Sequence, residues 1–187
     1  MLKLFKKKQI LTIPNLLSLV RLILIPCIVW LYSFEKNYYA AIGMIILSGV
    51  TDIVDGWIAR HFNMVSDFGK FLDPLADKLT QAALLICLLF EYSLMWALIV
   101  IFGVCEITKL ILGFIIAKKY DEVNSAKWYG KVNTVVIYVT MMLLILFPQM
   151  NSILSTALII LCGGVMIAAH VLYFVSLGKI LYRRSKK

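Results

Sequence analysis

Six long apolar runs, separated by short polar stretches, set the layout of this chain. They lie at 15–32, 38–60, 68–90, 96–117, 130–147 and 153–173, each close in length to the ~20 residues that a helix needs to cross the hydrocarbon core. Ahead of them, 2–11 mixes Lys3, Lys6, Lys7 and Lys8 with Leu4, Phe5 and Ile10. That mixture fits a short amphipathic helix lying on an anionic leaflet, or equally a charged flank that fixes topology. Pro14 breaks the chain before the first run, and Pro74 lies early enough in the third to be tolerated without a severe kink. The predicted fold is therefore an all-α polytopic integral membrane protein. It has six transmembrane helices, a short N-terminal juxtamembrane helix, and one domain over 1–187.

Composition sharpens this picture. Hydrophobic residues make up 62% of the 187, and mean hydropathy is +0.92, which excludes an ordinary soluble domain. Lys and Arg outnumber Asp and Glu 19 to 10. The cations fall in the N-terminus, the 60–70 and 118–131 stretches and the tail, whereas the alternate loops offer only Lys36. By the positive-inside rule both termini face the cytoplasm, which in a bacterium makes the cytoplasmic (inner) membrane the expected location. Nucleic acid is not an expected partner, since no basic and aromatic surface domain is present. The basic, then apolar N-terminus ends in no small-residue cleavage site, so it reads as a retained first span. Trp30, Tyr32, Tyr38, Tyr39, Tyr92, Trp96, Trp128 and Tyr129 fall near span ends, as interfacial anchors should. Cys27, Cys87, Cys105 and Cys162 stand singly in apolar runs and read as small buried hydrophobes.

Chemistry concentrates between Asp52 and Asp77. At about 100° per residue, Asp52, Asp55, Gly56, Ala59 and Arg60 share one helix face, and Gly69, Asp73 and Asp77 form a stripe on the next helix. Four carboxylates can thus aim at one point. Ionised groups at a membrane edge are costly and need counter-charge, and hard carboxylate oxygens suit Mg²⁺ or Mn²⁺. Two such ions about 3.5 to 4 Å apart would use several carboxylates. With small residues among the acids to admit a phosphorylated ligand, the pattern points to phosphoryl-transfer chemistry.

The ungapped pattern D-x2-D-G-x2-A-R-x8-G-x3-D-x3-D, from Asp52 to Asp77, resembles the signature of the CDP-alcohol phosphotransferases. Ile13-Pro14-Asn15-Leu16-Leu17 with Arg21, the run 68–78, and Gly130-Lys131 before Thr134 resemble the branch that contains the phosphatidylglycerophosphate synthases. The resemblance implies phosphatidyl transfer from CDP-diacylglycerol to an alcohol acceptor in the membrane, releasing CMP. It also implies two divalent cations, Mg²⁺ or Mn²⁺, and a homodimer. By motif position Asp52, Asp55 and Asp73 would hold the metals, with Asp77 beside them as the general base and a further ligand, and Asp73 counted with it as catalytic. Gly56, Ala59 and Gly69 would give room for the cytidine diphosphate, and Arg60 could pair with a phosphate. Taken one at a time, these residues also suit helix packing and a snorkelling arginine. Asp67 reads as a loop carboxylate or the N-cap of the third helix.

Acceptor residues are carried by the same resemblance. Lys131 matches the position that meets the acceptor's phosphate in related enzymes, though a lysine at a cytoplasmic helix start is also ordinary topology. Glu106 and Lys109 could neutralise each other inside the bundle or serve the acceptor. Where the resembling branch usually has Arg-Glu, this chain has Cys105-Glu106, and Leu112-Gly113-Phe114 stands where another arginine often falls. Glycerol 3-phosphate is the expected acceptor, with Lys109 in place of the missing cation. A cardiolipin-synthase-like transfer to phosphatidylglycerol is the alternative within the same chemistry, and an inositol phosphate or amino alcohol stays open. From other classes, a cation transporter would place its acids at the bilayer midplane beside a helix break, and a non-catalytic adaptor would turn over nothing. His61 and His170 read as loop and interface residues, since neither has a second histidine at metal-ligand spacing.

Overall fold

The structure, a computed structural model, describes residues 12–62, 66–120 and 128–185. These form six helices: α1 (Ile13–Ser33), α2 (Tyr38–His61), α3 (Asp67–Leu89), α4 (Met95–Tyr120), α5 (Trp128–Leu146) and α6 (Ser152–Ser185). The expected 2–11 helix lies outside the described residues. Five of the six are long and apolar enough to cross a membrane: α1, α2 to Ala59, α4 to Gly113, α5, and α6 to Gly178. α3 is the exception, because Asp73, Asp77 and Lys78 interrupt its first half and leave the apolar stretch from Leu79 to Leu89 shorter than a bilayer needs. Ile23, Val50, Leu110 and Ile153 are among the exposed apolar side chains, as lipid-facing helices require.

Two compact units divide the chain, Met1–Cys87 and Leu88–Lys187. In the first, α1 packs on α2. Pro14 sits inside the first turn of α1 rather than before it, where its missing N–H would have had no partner in any case. After α1, Lys36 takes the left-handed φ of 52°, and Asn37 then caps α2 through its side chain, which accepts from the Ala40 N–H at 3.1 Å. α1 buries Asn15, Ser18 and Arg21 in its first half and Ile28 and Tyr32 in its second. The unit therefore has a polar interior at one end and an apolar one at the other.

Asp67, expected as a loop carboxylate or the N-cap of α3, is neither. Ser66 fills the capping role: its Oγ accepts from the Gly69 N–H at 2.9 Å and donates to Asn15 Oδ1 at 2.9 Å. Asp67 is then the first helical residue. Pro74 lies within the helix, which stays unbroken around it.

In the second unit, α6 packs on both α4 and α5. Met95, Leu98, Phe102, Ile137, Met141, Leu144, Cys162 and Met166 are buried there. Tyr92 Oη donates to the Leu144 carbonyl at 3.3 Å, and the Tyr129 and Ser176 hydroxyls lie 3.1 Å apart. α6 runs to Ser185, beyond the expected end at 173, because no proline follows and the single Gly178 does not stop a helix.

Two smaller expectations fail. Tyr32 is buried against Tyr38, with ring centroids 5.5 Å apart, instead of anchoring at an interface. Cys27 is exposed, whereas the other three cysteines are buried.

Candidate functional site

The motif residues lie on α2 and α3, and α1 supplies the groups that meet them. On α2, Asp52 and Asp55 are one turn apart, which puts both on one face. Asp55 is almost fully withdrawn, with its side chain 3% exposed, while that of Asp52 is 52% exposed. On α3, Asp73 and Asp77 are also one turn apart and half-buried.

Arg21 reaches both α2 carboxylates from α1. Its Nη2 donates to Asp55 Oδ2 at 2.6 Å, and its Nη1 lies 2.6 Å from Asp52 Oδ1. The second contact is an ion pair without hydrogen-bond alignment, since Nη1 and Nε are buried and make no hydrogen bond. Ser18, one turn before Arg21, ties in the third helix. Its Oγ is 2.5 Å from Asp73 Oδ1, 3.1 Å from the Pro14 carbonyl and 3.4 Å from Asp55 Oδ2. A hydroxyl has one hydrogen, so Asp73, the nearest acceptor, takes it. Asp52, Asp55 and Asp73 thus share the neighbourhood of two side chains on one helix.

Gly69 lies beside this cluster, where α3 meets α1. A Cβ there would fall 2.6 Å from Asn15 Oδ1 and 3.0 Å from Ser66 Oγ. Asn15 is 1% exposed and bonded to Ser66, so it has no free space to move into. The absence of a side chain at Gly69 is what admits Asn15.

The remaining expected residues are less closely placed. Gly56 and Ala59 are half-buried on α2, and Arg60 falls in its last turn with its side chain outside the described residues. In the second unit, Lys109 Nζ donates to Glu106 Oε1 at 2.8 Å, so these two do neutralise each other within α4. Lys131 is exposed in the first turns of α5. His61 stacks on Trp57 at 4.9 Å; His170 is half-buried within α6, edge-on to Phe174 at 4.8 Å, and is not a helix-end residue.

Sequence reasoning overlooked Ser18 and Ser66, and used Asn15 and Arg21 only as part of a resemblance. A signal was present. Asn15, Ser18 and Arg21 recur every third residue in an otherwise apolar span, which puts them on one face. An arginine about two turns into such a span calls for a buried anionic partner, and after Glu35, which falls in the loop between α1 and α2, the aspartates of α2 are the next candidates in sequence.

Comparison with known proteins bears directly on this arrangement. The family model for CDP-alcohol phosphatidyltransferase matches residues 11–176. The chain belongs to the CDP-alcohol phosphatidyltransferase family. A CDP-diacylglycerol–glycerol-3-phosphate 3-phosphatidyltransferase of Bacillus subtilis is 36% identical over 141 residues, covering 65% of this chain and 70% of that protein. One of the same name from Aquifex aeolicus is 35% identical over 133 residues, covering 70% and 73%. A cardiolipin synthase (CMP-forming) / mitochondrial hydrolase fusion protein of Schizosaccharomyces pombe is 45% identical over 82 residues, which are 44% of this chain and 14% of that protein.

A divalent cation can be tested against the donors that this CDP-alcohol phosphatidyltransferase presents. Asp52, Asp55 and Asp73 offer hard, anionic oxygens near one point, and a buried positive charge already neutralises two of them. Carboxylate oxygens are the donor type that a hard divalent cation takes. Among the described residues, no three His, Cys, Asp or Glu side chains are gathered as a metal cage. The Arg21 guanidinium instead bridges Asp52 and Asp55.

Proposed function

We propose that this enzyme transfers the phosphatidyl group of CDP-diacylglycerol to the hydroxyl of glycerol 3-phosphate, forming phosphatidylglycerophosphate and releasing CMP. The observation that carries the reading is the approach of Asp55 and Asp73 to Ser18 Oγ, with Asp52 and Asp55 paired to Arg21. It supports the motif aspartates, drawn from two helices, as one working group. The names of the Bacillus and Aquifex relatives support the donor and the acceptor.

In this reading Asp52, Asp55, Asp73 and Asp77 hold two divalent cations, Mg²⁺ or Mn²⁺. Metal held by these carboxylates would supply polarisation of the donor's diphosphate and counter-charge for the departing CMP. Asp77 takes the proton from the acceptor hydroxyl as general base. Ser18 orients Asp73 by its hydrogen bond, and the half-exposed Asp52 marks the side from which solvent and ligand arrive. Gly56, Ala59 and Gly69 give room for the cytidine diphosphate, and Arg60 serves one of its phosphates. Lys109 and Lys131 meet the acceptor's phosphate, with Glu106 holding Lys109 in place.

The same reading takes 1–187 as one membrane domain with six spans. α3 crosses with its charged first half at the cytoplasmic mouth. Both termini and the site face the cytoplasm of a bacterial inner membrane, and the enzyme works as a homodimer. A cation transporter is disfavoured because α2 and α3 run unbroken through their acids, with no helix break to form a midplane ion site. Transfer to phosphatidylglycerol is the second reading, favoured by the name of the fusion-protein relative and by Cys105 where the synthase branch usually has arginine. Labelled CDP-diacylglycerol, offered with Mn²⁺ and either acceptor, separates the two by the mass of the lipid product. No CMP release with any acceptor contradicts both.

A further inference from the structure

Arg21 is a cation buried in the place where the proposed function puts metal ions. Its side chain is 2% exposed, and its two terminal nitrogens each lie 2.6 Å from an aspartate oxygen, one of Asp52 and one of Asp55. A guanidinium has five N–H donors, and buried donors are nearly always satisfied. Here Nε and Nη1 make no hydrogen bond. Arg21 is therefore held by its contacts to two carboxylates and, among the described residues, by no further hydrogen-bond partner.

That distinction decides what happens when metal arrives. A buried arginine whose donors are all used would be part of the scaffold and would stay. One that neutralises two carboxylates and little else becomes redundant once other positive charge reaches them. It is then also repelled by that charge at short range, where a water-poor site screens little. The half-exposed side of Asp52 leaves an opening on the approach to the pair.

We propose that Arg21 is an internal competitor for the metal site: it neutralises Asp52 and Asp55 in the metal-free enzyme and leaves them when divalent cation binds, so that loading is an exchange of guanidinium for metal. The inference rests on the reading that these aspartates are metal ligands. Exchange keeps the aspartates from standing unpaired in the bilayer before metal is loaded, and it weakens metal binding by the strength of the pairs that must break.

The test uses full-length protein in detergent, titrated with Mn²⁺ and followed by the electron paramagnetic resonance signal of free Mn²⁺, with thermal melts alongside. Arg21→Gln is expected to bind Mn²⁺ more tightly than wild type, on the order of tenfold. Its metal-free melting temperature should fall by about 5 °C or more, and Mn²⁺ should restore more of that loss than it adds to wild type. Arg21→Lys keeps the charge but not the fork, and should tighten binding by a smaller factor. It serves as the test if Arg21→Gln does not fold. Unchanged or weaker Mn²⁺ binding in the folded variant overturns the exchange and makes Arg21 a residue that positions the aspartates. Asp55→Asn and Asp73→Asn judge the underlying reading separately. If wild type and both of these bind Mn²⁺ alike, or none binds it, the aspartates are not ligands and the exchange falls with them.

Discussion

Arg21 and Asp55 form an ion pair in which both partners are almost wholly buried, 2% and 3% exposed, at 2.6 Å. The pair joins α1 to α2 at the level of the motif. Removing Asp55 takes away the buried partner of a buried guanidinium and leaves it only the half-exposed Asp52, whereas removing Asp52 leaves the buried pair intact, so the first loss costs more. Asp55→Ala should therefore lower the metal-free melting temperature clearly more than Asp52→Ala. Differential scanning fluorimetry in chelator checks the order, and equal losses would contradict it.

Ser18 is expected to matter through Asp73. Losing a hydrogen bond to a charged acceptor is worth about 1.5–3 kcal/mol. Ser18→Ala should raise the Mn²⁺ concentration needed for half-maximal activity by about tenfold or more while leaving the fold intact by circular dichroism. An unchanged metal requirement would remove Ser18 from the site.

At Gly69, the missing side chain makes room for Asn15. Gly69→Ala should destabilise the protein by about 1–3 kcal/mol through overpacking. In the double variant Asn15→Ala/Gly69→Ala, the clash at 2.6 Å disappears, and part of that stability should return. A double variant whose loss is the simple sum of the single losses would show that the two positions do not interact.

Asp77 is assigned the acceptor proton. Asp77→Asn should reduce kcat by about 10²–10⁴-fold with little change in the KM for CDP-diacylglycerol. A matching rise in that KM, with kcat preserved, would make Asp77 a donor-binding residue.

Lys109 and Lys131 are assigned the acceptor's phosphate. Alanine at both should raise the KM for glycerol 3-phosphate by about tenfold or more and leave that for CDP-diacylglycerol unchanged. No change in the acceptor KM would return the Glu106–Lys109 pair to plain charge neutralisation within α4.

Much of the fold was legible because apolar runs of bilayer length leave few alternatives, and apart from the extension of α6 to Ser185 the helix limits fall within a few residues of those runs. Where the structure departs, a local contact decides. Ser66, not Asp67, caps α3 because Asn15 holds its hydroxyl in place, a contact 51 residues distant that no local pattern contains. The aspartates were legible from their spacing. Their partners Ser18 and Arg21 were not given their due, because a serine in an apolar span is ordinary and an arginine there does not say which acid it meets. Only the packing of α1 on α2 supplies that answer.

The most direct measurement is the product analysis of purified enzyme given labelled CDP-diacylglycerol, glycerol 3-phosphate and Mg²⁺ or Mn²⁺, with and without chelator. The expected result is CMP and a lipid of the mass of phosphatidylglycerophosphate in equal amounts. Both should be lost on chelation and in Asp55→Asn, Asp73→Asn and Asp77→Asn. Turnover that survives chelation, or that persists in those three variants, would contradict a carboxylate-held metal centre as the seat of the reaction.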